Sequence, residues 1–322
     1  MELRQLGRTG VEVTRVALGC GNFGGVGSAP AFFGRGETRA EAFALMDAAW
    51  ELGIRLFDTA ASYGGGRSER WIGEWMEERG RRPVVSTKVF HSVVGDPGDR
   101  GLAPERIRRE LAGSLARLGL DRVELYLIHE PDPDTPLQLT LGALDELVGA
   151  GTVGAIGASN VDAAYLERAL ALSDTGGLAR FQWAQNSYSL LEREDARDVL
   201  PLCEREGLGY TPFGPLAGGW LTGKYRRGVQ FPGGSRMTMR PEPYERFVDD
   251  RVFDALEAFE EAARERGVDM AALALAWLLA DRRVTSVIVG PRRPEHLEPV
   301  RAAVELGLTQ AEAAELTALF GD

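Results

Sequence analysis

Along the chain, short apolar, β-branched runs alternate with longer stretches whose apolar positions return every three to four residues. The runs at 16–18, 54–57, 83–87, 123–128, 153–157, 181–185, 208–211 and 284–289 read as strands. The stretches 38–52, 67–78, 104–118, 137–150, 162–172, 195–205, 244–266 and 294–305 carry the helical period. Strands that alternate with helices imply parallel pairing through right-handed crossovers. About eight such units predict an α/β fold of the (β/α)8 TIM-barrel type, whose usual size is about 250 residues. Punctuation agrees: Pro104 and Pro294 open helices, and Gly53, Gly151 and Gly207 close helices just before a strand.

Three features lie outside the repeat. Leu3-Arg4-Gln5-Leu6 and Val11-Glu12-Val13, turning at Gly7-Arg8-Thr9-Gly10, predict an N-terminal β-hairpin that caps the bottom of the barrel. Extra helices are expected at 270–280 and 310–319. The first is apolar throughout, but at about a dozen residues it is shorter than the ~20 a membrane span requires and reads as a buried helix. The irregular, glycine-bearing segments 20–37 and 212–243 fall on the C-terminal side of strands, the face where a barrel carries its chemistry. The whole chain, 1–322, reads as one barrel domain. A doubly wound open sheet is the alternative, weakened because no Gly-x-Gly-x-x-Gly stands between the first strand and its helix.

Composition narrows the function classes. The hydrophobic share of 44% can build a core and excludes a disordered chain. Lys+Arg 37 against Asp+Glu 48 gives a net charge of −11, which argues against nucleic acid as a partner. Membrane partners are not expected either. Two cysteines, Cys20 and Cys203, make no disulfide framework and no cysteine metal site, and each reads as a small buried hydrophobe. The N-terminus lacks an apolar signal core, so a cytoplasmic enzyme is the default. Nothing in the sequence fixes an oligomeric state.

Reactive side chains gather at three consecutive strand ends. The second strand runs into Phe57-Asp58-Thr59-Ala60-Ala61-Ser62-Tyr63-Gly64, the third into Ser86-Thr87-Lys88, and the fourth into Leu127-Ile128-His129. In a closed barrel these ends are neighbours. A buried Lys88 beside Asp58 stays cationic, and a cation beside Tyr63 is expected to lower the phenol from about 10. So tuned, Tyr63 can act as a general acid towards an oxygen. His129 supplies a second hydrogen bond that orients a carbonyl. No Ser–His–acid set occurs here, and histidine is too scarce for a three-histidine metal site, so no metal is expected. The group fits carbonyl reduction better than hydrolysis. Asp58 alone would read as a turn cap, and His91 reads as a loop residue without such company.

These strings resemble the aldo-keto reductases. The likeness continues through Gly157-Ala158-Ser159-Asn160, Gln185-Asn186-Ser187-Tyr188-Ser189-Leu190-Leu191, Pro215-Leu216-Ala217-Gly218-Gly219 and Val289-Gly290-Pro291-Arg292-Arg293. It covers nearly the whole chain and favours bacterial members and the potassium-channel β-subunit branch over the aldose reductase branch. The resemblance implies a catalytic tetrad of Asp58, Tyr63, Lys88 and His129. It implies that Ser159, Asn160 and Gln185 hold a nicotinamide carboxamide, with Gln182 as competitor to Gln185. Phe213, or its rival Tyr210, would stack on the nicotinamide ring. The turn Gly214-Pro215-Leu216-Ala217-Gly218-Gly219 would pass the pyrophosphate, with Lys224 supplying charge. Gly21, Asn22 and Phe23 would lie near the reacting centre.

The cofactor so implied is NADPH, with NADH open. Gly290, Arg292 and Arg293 lie where the 2′-phosphate would be read, against a helix begun by Pro294, and His296 near the adenine. Two departures stand out: Pro299 and Val300 replace the family's frequent Glu and Asn, and Glu130 follows His129. A carboxylate there is expected to raise the His129 pKa. Phe32, Phe33, Phe90, Trp220 and Phe231 are candidate walls of an apolar pocket. The expected function is reduction of a small-molecule aldehyde or ketone to an alcohol by hydride transfer, with Tyr63 as general acid. The alternative is a regulatory or structural relative that binds cofactor but turns over little.

Overall fold

The computed structural model describes residues 1–321. Two short strands, β1 (Leu3–Gln5) and β2 (Glu12–Thr14), pair antiparallel as the expected hairpin. Eight further strands follow: β3 (Val16–Gly19), β4 (Leu56–Asp58), β5 (Val84–Val89), β6 (Val123–Ile128), β7 (Val153–Ser159), β8 (Phe181–Gln185), β9 (Gly209–Tyr210) and β10 (Val287–Val289). All their pairings are parallel, in the order β10-β3-β4-β5-β6-β7-β8-β9. The ring closes between the two ends, where Thr285 N–H donates to Tyr210 O at 2.8 Å and Ile288 N–H to Pro212 O at 2.9 Å. The fold is the expected (β/α)8 barrel.

Side chains alternate between two apolar layers, as the period of two in a strand dictates. Leu56, Leu125, Leu127, Ala155, Trp183 and Ile288 fill the barrel, while Phe57, Tyr126, Ile128 and Ile156 face the helices. Leu6 from the hairpin plugs the barrel from below and is fully buried. Gly7 permits that approach, since a Cβ there would lie 2.2 Å from Gln182 O. The fully buried Trp183 needs space from β7. A Cβ on Gly157 would meet its indole at 2.6 Å.

Most helices fall where the periodicity puts them, including Pro104–Leu118 and the buried Met270–Ala280. No helix among the described residues is long and apolar enough to cross a membrane. Three helices are corrected. The stretch at 195–205 is a turn, Glu194–Ala196, then a helix, Val199–Glu206, capped by Asp198. Asp195 is not free to start it, because its carboxylate accepts from Tyr210 Oη at 2.6 Å and Asn186 Nδ2 at 2.7 Å. The stretch at 244–266 breaks into Glu245–Phe247 and Asp250–Glu265, since Asp249 caps the second piece. Pro294 opens only a four-residue 3₁₀ turn, Pro294–Leu297, ahead of a helix Glu298–Leu306.

Candidate active site

Each barrel strand presents its last inward position at the C-terminal rim. On β4, Leu56 points in and Phe57 out, so Asp58 returns inward. On β5 the inward positions are Ser86 and Lys88, while Thr87 turns out and donates to the buried Glu69 at 2.6 Å. On β6, Leu125 and Leu127 point in, so His129 follows them at the rim. Ser159 and Gln185 end β7 and β8 in register with each other.

These positions meet. Lys88 Nζ donates to Asp58 Oδ2 at 2.6 Å and to Thr59 O at 2.8 Å, and lies 3.5 Å from Tyr63 Oη. The Lys88 and Asp58 side chains are 1% and 5% exposed. Asp58 Oδ1 accepts from Ser86 Oγ at 2.6 Å and, across the barrel, from Gln185 Nε2 at 3.0 Å. Tyr63 Oη lies 3.4 Å from His129 Nε2. Asn160 holds the next strand end, donating from Nδ2 to His129 O at 2.8 Å from a left-handed backbone at φ 55° that asparagine tolerates. Ser159 Oγ donates to Gln185 O at 2.7 Å.

The electrostatics correct two expectations. Burial, reinforced by the Asp58 carboxylate, outweighs Lys88 and holds Tyr63 above its ordinary 10. The phenol is therefore kept in its protonated form. Burial also tends to lower Lys88, but Asp58 and then Tyr63 overcome it and hold the ammonium above 10.5. His129 moves well below 6.5, through burial, then Lys88, then His91. Glu130 does not raise it, because that carboxylate lies 3.6 Å from His91 Nε2 instead. His129 Nδ1 is buried without a partner, and a proton there would be an unmet donor. The hydrogen-bond network thus assigns the neutral ring its proton on Nε2, facing Tyr63.

His91 lies in the loop beyond β5, as expected, but it is not without company there. Its ring stands edge-on to His129 with centroids 4.8 Å apart. Strand periodicity gave no sign of this, because His91 lies beyond the end of β5. Ser86 was also missed, although its place opposite Asp58 follows from strand register. Of the rivals, Gln182 lies at the bottom, accepting from Arg8 N–H at 3.3 Å, so only Gln185 reaches the rim. Tyr210 is fully buried and held by Asp195, whereas Phe213 is half-buried above the inner layer. Phe23 is 1% exposed and spent in the core, so of the three expected residues only Gly21 and Asn22, both half-buried, keep accessible surface.

A second region continues from the first. Gly214, Gly218 and Gly219 all have positive φ in the turn that also carries Pro215 and Leu216. A Cβ on Gly219 would lie 2.2 Å from Lys224 Nζ, so the missing side chain makes the lysine's berth. Partial burial, then Arg236 and Arg292, lower the Lys224 ammonium. Arg236 donates to Asn22 Oδ1 at 2.9 Å. The sequence reading missed it, since it sits in the irregular 212–243 segment where no period marks a residue. Arg292 donates to Glu37 Oε1 at 3.1 Å and Gly234 O at 3.1 Å, and its amide to His296 Nδ1 at 3.2 Å. Gly290 is exposed at the end of β10. The short turn at Pro294 supplies no extended helix N-terminus for an anion. Side-chain cations and glycine-bared backbone carry this region instead, a donor set that fits a dinucleotide's phosphates.

The proposed apolar walls divide. Trp220 is fully buried, with Phe231, Phe247 and Phe253 around it at centroid distances of 5.6–6.2 Å, so it and Phe231 stabilise the long loop. Phe90 lines a cleft of about 140 Å³ beside His91, together with Arg100, Gly101 and Asp132.

The chain is thus a parallel barrel with Asp58, Tyr63, Lys88 and His129 gathered at its C-terminal rim and a cationic, glycine-lined region beside them. The chain matches the Aldo/keto reductase family over residues 15–320 and belongs to it. It is 37% identical to the uncharacterized oxidoreductase YrpG of Bacillus subtilis, over 99% of this chain and 96% of that protein. It is 33% identical to the NADH-specific methylglyoxal reductase of Escherichia coli, over 96% and 95%. It is also 33% identical to a probable voltage-gated potassium channel subunit beta of rice, over 92% and 89%.

Proposed function

We propose that this chain, as a single barrel domain, reduces a small aldehyde or ketone with a nicotinamide dinucleotide. The observation that carries this reading is the position of Tyr63 Oη, within 3.5 Å of both Lys88 Nζ and His129 Nε2. A bound nicotinamide dinucleotide supplies the hydride. Tyr63, kept protonated by burial, gives its proton to the carbonyl oxygen as negative charge develops there. Lys88 stabilises the phenolate left behind, and Asp58 holds Lys88 in place. His129, neutral with its proton on Nε2, donates to the same oxygen and orients the carbonyl. Ser159, Asn160 and Gln185 offer the donors and acceptors that a carboxamide needs. Phe213 offers an apolar face for a ring.

The phosphates would pass Gly214, Gly218 and Lys224, with Arg236 and Arg292 beyond. Arg292 supports use of NADPH. The relative named as an NADH-specific methylglyoxal reductase supports NADH, and with it a small carbonyl substrate. Steady-state oxidation of each reduced cofactor by purified protein, over a panel of aldehydes and ketones, tests the reading. Turnover that depends on Tyr63 is expected. No turnover with any carbonyl, despite cofactor binding, would overturn it in favour of a regulatory role.

A further inference from the structure

Glu37 is a carboxylate in an unusual place. It closes the first loop, and its side chain is 3% exposed. One oxygen, Oε1, accepts from Arg292 Nε at 3.1 Å. The other, Oε2, is buried with no hydrogen-bond partner among the described residues. Two cations face this acid: Arg292 in direct contact at 3.1 Å and Arg236 close enough to perturb it, while Lys224 lies near enough to both arginines to be perturbed by them. Burial holds the Glu37 carboxyl above its ordinary value in spite of them.

The fold does not require this side chain. The Glu37 backbone closes the loop by itself, its N–H donating to Asn22 O at 2.9 Å and its carbonyl accepting from Gly24 N–H at 2.9 Å. The next helix, Arg39–Glu51, is capped by Thr38 and Glu41 without it. A buried oxygen that lacks a donor costs stability unless a ligand supplies one. In dinucleotide sites an acidic side chain suits a ribose 2′-hydroxyl, which can donate, and an arginine suits a 2′-phosphate, which cannot. Here the two opposing elements touch each other.

We propose that Glu37 determines cofactor specificity: it neutralises Arg292 and offers Oε2 to a ribose 2′-hydroxyl, so that the site accepts NADH and NADPH with similar affinity. Given the cofactor reading of this site, a 2′-phosphate gains the Arg292 charge but is placed beside a carboxylate. A free 2′-hydroxyl gains less from Arg292 but satisfies the orphan oxygen. The preferences cancel.

Calorimetric titration of the purified protein with 5′-AMP and with 2′,5′-ADP, which differ only in the 2′-phosphate, tests this without turnover. In the wild type the two Kd values should agree within about tenfold. Glu37→Gln should tighten 2′,5′-ADP by about tenfold or more, the scale of one charge-assisted contact, and leave 5′-AMP within about threefold. Arg292→Gln should move the ratio the opposite way, by weakening 2′,5′-ADP alone. Should Glu37→Gln fail to fold, Glu37→Asp, which withdraws the carboxylate by one methylene, should shift the ratio in the same direction as the glutamine. A wild type that already prefers 2′,5′-ADP by more than about a hundredfold, or a ratio unmoved by either Glu37 variant, overturns the role of Glu37 alone. Failure of both probes to bind the wild type overturns the cofactor reading together with it.

Discussion

Lys88 and Asp58 form an ion pair of 2.6 Å inside the barrel rim, with both side chains at least 95% buried. The pair is fully engaged: Asp58 also accepts from Ser86 and Gln185, and Lys88 donates to Thr59 O. Removing one partner of such a pair strands the other. Lys88→Met keeps the stem and deletes the charge, so it should cost about 3–5 kcal/mol of stability as well as activity. Chemical denaturation of wild type and variant measures the first, and turnover the second. Unchanged stability would mean that the pair does not exist in solution.

Tyr63→Phe removes one hydroxyl from a half-buried ring whose contacts otherwise remain. Folding and cofactor affinity should persist while carbonyl reduction falls by at least about 10²-fold, the range of general acid catalysis. Kinetics alongside a cofactor titration separate the two effects. Near-normal turnover in the variant would remove Tyr63 from the role of proton donor.

The histidine pair sets a pH dependence of stability. His91 is held down to about 4, by burial first and then Arg100 and Arg106, and His129 also lies well below 6.5. An unfolded histidine titrates near 6.5. As the pH falls below 6.5 the unfolded chain takes up protons that the folded chain refuses. The stability present above 6.5 is therefore lost between 6.5 and about 4. Glu130, raised by burial, offsets a part at the acid end. His91→Gln should lose about 1 kcal/mol less than wild type across that window. Melting temperatures from pH 7.5 to 4.5, on the scale where an exposed group would show nothing, provide the comparison. Parallel profiles would count against a neutral, enclosed His91.

Gly219 offers a test of the phosphate path. Its φ of 101° disfavours any side chain, and an added Cβ would lie 2.2 Å from Lys224 Nζ. Gly219→Ala should cost about 1–3 kcal/mol in backbone strain and push the ammonium from its berth. Dinucleotide affinity should fall by about tenfold or more, while the nicotinamide-side residues are untouched. Loss of stability with unchanged affinity would show that Lys224 does not serve the phosphates.

What the sequence determined by itself is whatever has a period or a strand end. Apolar runs alternating with helical stretches dictated the barrel, because each element can bury its apolar face only in that arrangement. Asp58, Lys88 and His129 were legible for the same reason: each takes the inward position after a run whose alternation is already set. Tertiary structure alone decided the state of these groups. Tyr63 is raised rather than lowered because enclosure outweighs a single nearby cation. His91, Glu37 and Arg236 lie in irregular segments, where no period marks a residue as inward or outward. Glu37 and Arg292 stand 255 positions apart and meet only because the barrel closes on itself, setting the loop after β3 beside the turn after β10.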